Sequence, residues 1–412
     1  MAAGTEAECA GRRDREYRLL LTLALSKGLM SNILRPVLPV YAVVLGAPAA
    51  AVGFIVALPD LAQVVARIPA GALSGDIGRR GPLLACFVLA TAGGVGLFLA
   101  GGYLALFPAQ ILWGLSVAAF WPTLWAYLMD VVSPAAQAGA IGIGLGMSGL
   151  GVLAGPLLGG VVADGFGWRA PFLMYTAMAA AGLMLTAALP RQPGGPWQKA
   201  LAPKNLLHTY RRALPVGLRP AVFLASSSQF LAFALEGLQM AFLPLHLHGL
   251  GYTASMIGVV IATRKAAAAA LRFAYPLVGR LASESRLAVL GLTLDILAVG
   301  AMAFLDRPLP LMAVGIISGI GVGIAEPAAK VLITGATASS DRALALGVEG
   351  TAANLGKSCG AIVLGAFTAL LGLTGAYIAG CVAVAASAPG MVALYRANSR
   401  RAAQETRSVA AK

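Results

Sequence analysis

Ionisable side chains inside long apolar stretches are the residues of this chain whose types could do chemistry. If such a stretch crosses a membrane, each charge costs roughly 2.5 to 3.5 kcal/mol at the helix centre, so it persists mainly where it has a partner or a task. The tasks open to it are ion pairing, proton transfer and recognition of a charged ligand. Five acids and eight bases qualify: Asp60, Glu236, Asp295, Glu326 and Glu349, and Lys27, Arg35, Arg67, Arg264, Lys265, Arg272, Lys330 and Lys357.

The spacing of these groups predicts different chemistry for each. Glu326 and Lys330 are four residues apart and share a helix face, which predicts an ion pair. Glu236 has no basic residue within one or two turns of its own helix, and a buried carboxyl of that kind is suited to carrying a proton. Lys27 and Arg35 are eight residues apart, near two helical turns, in a stretch without an acid. Arg35 is therefore a candidate clamp for an anionic group, because a guanidinium offers a planar fork of donors.

The elements that must position these groups are membrane-spanning helices. Apolar residues make up 59% of the 412-residue chain and charged residues 11%, with a mean hydropathy of +0.82, which leaves too little polar surface for a soluble protein. Apolar stretches near the ~20 residues that cross a bilayer recur along the chain. We predict twelve such helices, at 19–45, 50–73, 82–101, 104–130, 136–163, 170–190, 221–246, 254–279, 287–305, 310–335, 343–371 and 374–395.

The basic residues behind the net charge of +14 are unevenly distributed among the loops. Of the 30 Lys and Arg residues, 20 fall on the loops and tails of one side, two on the other side and eight inside the predicted helices. This asymmetry follows the positive-inside rule, so we expect both termini to be cytoplasmic in a multi-pass protein of the cell membrane. The same distribution argues against a nucleic-acid partner and leaves the lipid bilayer as the partner of the chain.

The second half of the chain repeats the first at an offset of 205 residues. Matching positions include Pro39 with Pro244, Gly53 with Gly258, Gly151 with Gly356 and Gly155 with Gly360. Such a repeat predicts an all-α membrane protein with two pseudo-symmetric six-helix bundles enclosing a site at their interface. We place the bundles at residues 1–190 and 220–396, a cytoplasmic linker at 191–219 and a cytoplasmic tail at 397–412.

Two motifs resemble those of a known family. Residues 71–80 read GALSGDIGRR, and residues 151–160 read GVLAGPLLGG. The first is similar to the signature loop of the major facilitator superfamily of secondary transporters, although Asp76 stands where a basic residue is usual. The second resembles the antiporter motif of drug and metabolite exporters in that family. The resemblance implies gating roles for Gly71, Asp76, Gly78, Arg79, Arg80, Gly151, Gly155, Pro156, Gly159 and Gly160.

Both motifs have a physical rationale. Glycines in the loop allow a tight turn, and its arginines can pair with an acid or with a helix end. Gly151, Gly155 and Gly159 recur every fourth residue and let a neighbouring backbone approach closely, while Pro156 adds a bend. In the fourth predicted helix, Gln110 occupies the place of an arginine that exporters of this kind usually carry.

The resemblance also implies which residues line the central cavity. In this family the first, fourth, seventh and tenth helices face it, which implies substrate-binding or coupling roles for Lys27, Asn32, Arg35, Trp121, Trp125, Glu236, Gln239, Glu326 and Lys330. Because Trp121 and Trp125 are the repeat counterparts of Glu326 and Lys330, one wall would be aromatic and the other charged.

The leading hypothesis is proton-coupled export of a small amphiphilic molecule by alternating access. An uptake symporter for an organic anion is the first alternative, favoured by eight bases against five acids. A non-transporting receptor or intramembrane enzyme is a third, but the chain carries no catalytic motif. His246 and His248 alone do not make a metal site, so we predict no cofactor and no metal. We expect a monomer.

Overall fold

A computed structural model describes residues 2–76, 78–133, 136–191, 211, 214–337 and 341–410. Over this part of the chain the long elements are all helices, as the sequence predicts. They are α1 (Ala2–Ile33), α2 (Leu38–Val44), α3 (Ala49–Asp76), α4 (Arg80–Phe98), α5 (Leu106–Val131), α6 (Gln137–Phe166), α7 (Ala170–Ala187), α8 (Pro220–Gly249), α9 (Ala254–Val278), α10 (Glu284–Met302), α11 (Pro308–Ala336) and α12 (Arg342–Ala410). Most of the predicted linker at 191–219 lies outside the described residues, so that segment remains a prediction.

The helices match the twelve predicted spans with two adjustments. The first span divides into α1 and α2, because Pro36 lacks a backbone N–H and disfavours helix at the residue before it. The last two spans form the single element α12, which Gly372 interrupts at a φ of 68°. Ten stretches of the described residues are long and apolar enough to cross a membrane, and one of them, Leu344–Ser387, has 44 residues and holds two crossings.

The helices form two compact units. The first comprises Met1–Gly46, Leu61–Leu207 and Tyr252–Val259, and the second comprises Ala47–Asp60, His208–Gly251 and Val260–Lys412. The first turns of α3 thus belong to the second unit, and the first turns of α9 belong to the first unit. The domain boundaries predicted from sequence alone stay a prediction.

Within the first unit, α1 packs directly along the glycine face of α6. A Cβ atom placed on Gly151 would lie 2.4 Å from the carbonyl oxygen of Leu25, and one on Gly155 would lie 2.6 Å from the Cβ of Asn32. At Gly159 the same atom would be 2.1 Å from the carbonyl oxygen of Ile33. Only glycine therefore allows the two backbones to lie this close.

The second unit repeats this packing between α8 and α12. A Cβ on Gly356 would lie 2.2 Å from the carbonyl oxygen of Phe230, and one on Gly360 would lie 2.0 Å from that of Ala234. At the repeat offset of 205 residues, these four positions correspond to Gly151 and Gly155 of α6 and to Leu25 and Leu29 of α1. The sequence repeat is therefore a repeat of helix packing in the same register.

Replacing Gly155 by leucine should destabilise the α1–α6 packing. The larger side chain meets backbone atoms of α1 that have no rotamer to change, and overpacking of this kind typically costs about 1–3 kcal/mol. Gly149→Leu is the matched control, since a Cβ at that position of α6 meets nothing within 4 Å. Thermal unfolding in detergent should show a lower midpoint for Gly155→Leu alone. Equal midpoints for the two variants would contradict the close packing.

Candidate functional site

An aromatic platform lies on α5 in the first unit. The rings of Trp121 and Trp125 stack with centroids 5.7 Å apart and planes 17° from parallel, and Phe120 meets Trp121 edge to face at 4.9 Å. Trp125 lies over Gly144 of α6, where a Cβ would come within 2.7 Å of the indole ring. Both indoles keep part of their surface exposed. Such a platform can stack against a flat apolar or aromatic ligand.

The repeat counterparts of these tryptophans form a charged cluster in the second unit. Glu326 on α11 accepts hydrogen bonds from Lys330 at 2.5 Å and from Arg272 of α9 at 2.6 Å. The predicted Glu326–Lys330 pair is thus confirmed, and Arg272 is a partner that the sequence did not suggest. Buried Glu349 of α12 also interacts electrostatically with Lys330.

Within this cluster the basic side chains are more exposed than the acidic ones. The side chains of Arg272 and Lys330 are 44% and 45% exposed, while that of Glu326 is 18% exposed and Glu349 is buried. Although two bases face two acids, the accessible charge is therefore positive. This arrangement can attract an anionic group to its surface.

Glu236 on α8 forms a salt bridge with Lys265 on α9. The carboxylate oxygen lies 2.7 Å from the ammonium nitrogen, and the two side chains are 8% and 16% exposed. The prediction that Glu236 has no basic partner was therefore wrong. Its partner, Lys265, lies on a different helix, which the spacing of residues around Glu236 does not reveal. A largely buried pair of this kind is strongly coupled, since little water screens it.

A third α9 base belongs to an almost fully buried cluster. Ser318 of α11 donates a hydrogen bond to Asp295 of α10 at 2.5 Å and accepts one from Arg264 at 2.8 Å. The guanidinium and carboxylate are 3.9 Å apart, with side-chain exposures of 8% and 1%. The cluster ties α9, α10 and α11 together inside the unit, as expected of a structural ion pair.

α9 supplies the bases of the candidate site, which the sequence motifs did not indicate. Arg264, Lys265 and Arg272 each contact an acid on a different helix segment, namely Asp295, Glu236 and Glu326. One signal was available, because the predicted helix at 254–279 holds three bases and no acid. Their partners had to come from other helices.

A further buried pair joins α3 to α12. Asp60 lies 3.2 Å from the ammonium of Lys357, with side-chain exposures of 10% and 14%. Beside it, Ser358 donates a hydrogen bond to the carbonyl of Ala57 at 3.2 Å. The Lys357 ammonium also lies 5.3 Å from the ring centre of Phe233. Both segments belong to the second unit, so this pair stabilises that unit from within.

Lys27 lies inside the first unit with no exposed surface. Its ammonium donates to Ser116 of α5 at 2.5 Å and sits 5.8 Å and 5.6 Å from the ring centres of Phe87 and Phe120. α1 ends at Ile33 and Arg35 lies in the following turn, so Lys27 and Arg35 do not share one continuous helix as expected.

The two predicted amide candidates also differ. The Asn32 side chain donates to the carbonyl of Gly28 at 2.8 Å and is committed to its own helix. Gln239 on α8 is 4% exposed, and neither its amide nitrogen nor its oxygen has a hydrogen-bond partner among the described residues. Gln110 on α5 is also buried, and neither atom of its amide has a hydrogen-bond partner among the described residues. Buried amides of this kind normally bind a polar partner.

The arginines of the signature loop fasten the ends of neighbouring helices. Gly78 takes a φ of 79°, which lets the chain turn into α4. Arg79 pairs with Asp130 near the end of α5 at 3.0 Å, and Arg80 donates to the carbonyl of Ala187, the last residue of α7, at 2.6 Å. The second contact places a cation at a helix C-terminus, where the dipole favours it. Gly71 lies within α3, and the side chain of Asp76 lies outside the described part of the structure.

Comparison with known proteins agrees with this architecture. The chain matches the profile of the Major Facilitator Superfamily over residues 20–228 and 225–411. It is similar to Multidrug resistance protein 2 of Bacillus subtilis (strain 168), with 23% identity over 233 residues, or 56% of this chain and 58% of that protein. It is also similar to Multidrug resistance protein Stp of Mycobacterium tuberculosis (strain CDC 1551 / Oshkosh), with 35% identity over 135 residues, or 32% of this chain and 25% of that protein. Both alignments span less than two thirds of the relative.

Solved structures share the fold at low identity. A bacterial homologue of the human lysosomal transporter Spinster, in an inward-facing and unoccupied conformation, superposes with a TM-score of 0.77 at 17% identity, covering 94% of this chain and 97% of that one. The nucleoside transporter NupG superposes with a TM-score of 0.72 at 14% identity, covering 92% and 98%. These likenesses concern the fold alone.

Replacing Asp295 by alanine should lower the thermal unfolding midpoint in detergent, because it leaves the Arg264 guanidinium buried without a counter-charge. Breaking one side of a buried pair typically costs about 3–5 kcal/mol. The double variant Arg264→Leu/Asp295→Leu removes both charges and should recover most of the loss. Asp306→Ala, at a side chain 72% exposed, serves as the control. A double variant no more stable than the single one would argue against a structural pair.

Proposed function

The chain belongs to the major facilitator superfamily of membrane transporters, and on that premise we propose that it exports a small amphiphilic molecule in exchange for protons. The observation that carries the proposal is the Glu236–Lys265 pair, at 2.7 Å and largely buried. A proton arriving at Glu236 competes with Lys265 for the carboxylate, so protonation releases the base from α8. One proton can thus change a contact between two helices.

Export of an amphiphile is supported by two further observations. Both relatives described above carry the name multidrug resistance protein, which motivates the same direction of transport for this chain. The stacked Trp121 and Trp125 provide a flat apolar surface with high tolerance for ligand shape. In the proposal these indoles contact the apolar part of the substrate.

The motif residues take gating roles in this proposal. In the proposal the α1–α6 contact at Gly151, Gly155 and Gly159 stays packed during the cycle, and Pro156 allows α6 to bend, because it removes a backbone hydrogen bond. Arg79 and Arg80 hold the loop against α5 and α7 in one state, at distances of 3.0 and 2.6 Å from their acceptors. We place both termini in the cytoplasm on the loop charges, and the chain acts as a monomer.

Uptake of an organic anion is the second candidate function. It is favoured by the exposed positive charge of Arg272 and Lys330 over the shielded Glu326. A substrate carboxylate could replace Glu326 as the partner of Arg272, because a guanidinium binds carboxylates in a bidentate manner. Arg35 was the expected anion clamp, with Lys27 as a second base beside it, and the complete burial of Lys27 makes Arg272 and Lys330 better candidates than Lys27.

Glu236→Gln should abolish transport driven by a pH gradient, because an amide cannot bind and release the proton that competes with Lys265 for the carboxylate. We would screen amphiphilic cations, neutral drugs and aromatic acids in proteoliposomes with an imposed pH gradient. Binding of the active compound, measured by tryptophan fluorescence, should fall by less than about threefold. Glu284→Gln, at the start of α10, is the matched control and should transport normally. Full gradient-driven transport by the Glu236→Gln variant would remove Glu236 from the coupling mechanism.

Arg272→Gln and Lys330→Gln should separate the two candidate functions. If the substrate is anionic, loss of one accessible charge-assisted hydrogen bond should raise its apparent Kd by about tenfold, which corresponds to the lower part of the range for bonds to charged groups. Cationic substrates should be affected by less than about threefold in the same proteoliposome assay. Equal loss for every substrate would indicate that the cluster is structural and would leave the anion hypothesis without support.

A further inference from the structure

Two helix crossings in the structure are related by the sequence repeat. In the first unit a Cβ on Gly258 of α9 would lie 2.2 Å from the carbonyl oxygen of Pro156 in α6. In the second unit a Cβ on Gly53 of α3 would lie 2.4 Å from that of Ala361 in α12. Adding 205 to 53 gives 258, and adding it to 156 gives 361, so the two contacts are counterparts. The glycines give both crossings the same backbone geometry.

Only the α6–α9 crossing carries a carboxylate at the helix N-terminus. Asp164 near the end of α6 accepts hydrogen bonds from the backbone N–H of Ala254 at 2.8 Å and of Ser255 at 2.9 Å. The Ser255 hydroxyl donates to the same carboxylate. Two of the free N–H groups of the first turn of α9 are therefore satisfied by another helix, and the negative charge lies at the positive end of the helix dipole.

The counterpart position cannot form this contact. Asp164 corresponds to Ala369 of α12, which has no acceptor side chain, and Ala254 and Ser255 correspond to Ala49 and Ala50 at the start of α3. The α3–α12 crossing is held by the buried Asp60–Lys357 pair instead, at 3.2 Å. The same helix crossing thus occurs twice in the repeat, and it is held by a helix cap in one case and by an ion pair in the other.

The helix that Asp164 caps is the one that carries the bases of the candidate site. Arg264 follows Ala254 by ten residues, or about 15 Å along a continuous helix, and Lys265 comes next. A rigid helix transmits the position of its first turn to these side chains. Gly160 adds to the constraint, because a Cβ there would lie 2.3 Å from the Ala254 carbonyl oxygen.

We propose that Asp164 is a positioning residue that fixes the N-terminus of α9 on α6 and so holds Arg264 and Lys265 in register with Asp295 and Glu236. The substrate never contacts Asp164. The role rests on the proposed function only in that the Glu236–Lys265 pair belongs to the transport site.

Hydrogen exchange of the full-length protein in nanodiscs, without substrate or pH gradient, tests this role separately from transport. Asp164→Ala should speed exchange in residues 254–258 by about tenfold, the change expected when two N–H groups of the first turn of a helix lose their acceptor. Residues 260–272 should also exchange faster, because the helix is released as one body. Faster exchange confined to 254–258 would mean a local cap and would overturn the positioning role, as would unchanged exchange throughout.

Three further variants keep the test specific. Asp164→Asn retains one acceptor oxygen and should give an intermediate effect, and Ser255→Ala keeps both backbone bonds and should change exchange by less than about threefold. Ala369→Asp should install the missing cap and slow exchange in residues 49–52 of α3. Asp164→Ala should leave residues 49–52 unchanged, which reports that the second unit is folded. Exchange at 254–258 as fast in Asp164→Asn or in Ser255→Ala as in Asp164→Ala would contradict the proposal.

Discussion

The high cost of an uncompensated charge in a low-dielectric interior is the constraint on which the candidate site depends. In the second unit that cost is met by pairing, since Arg264, Lys265 and Arg272 of α9 contact Asp295, Glu236 and Glu326. Each pair joins different helices, so the pairs fix the position of α9 and are also the contacts that a proton or a charged substrate can alter. Structure and function therefore draw on the same few interactions.

Glycine packing sets where these helices can lie. The α1–α6 and α8–α12 contacts use glycines at matching repeat positions, and backbone carbonyls occupy the space a side chain would need. Such contacts depend on shape rather than charge, so they leave the ionisable residues available for other tasks. The repeat keeps this packing while the chemistry on it diverges, with stacked indoles at Trp121 and Trp125 and a salt-bridge cluster at Glu326 and Lys330.

Divergence on a symmetric backbone also explains how one fold unit can serve two roles. The aromatic platform offers dispersion and stacking, which tolerate many ligand shapes, whereas the charged cluster offers directional contacts that depend on ionisation. The contacts that hold the two repeat-related crossings differ in the same way, since Asp164, itself exposed, caps the N-terminus of α9, whereas Asp60 pairs with Lys357 in a largely buried place. A buried pair is costly to break, while a cap is worth about 1 kcal/mol.

The sequence by itself determined the membrane class, the helical fold, the repeat and the glycine face of α6, because hydropathy, charge asymmetry and residue spacing are local properties. It also predicted the Glu326–Lys330 pair, since residues four apart on one helix are neighbours wherever that helix lies. Only the tertiary structure decided that Glu236 pairs with Lys265, that Lys27 is enclosed by Phe87 and Phe120, and that Asp164 caps α9. These partners lie on different helices, and spacing along the chain pairs only residues of one helix, so the pairs become visible only when the helices pack.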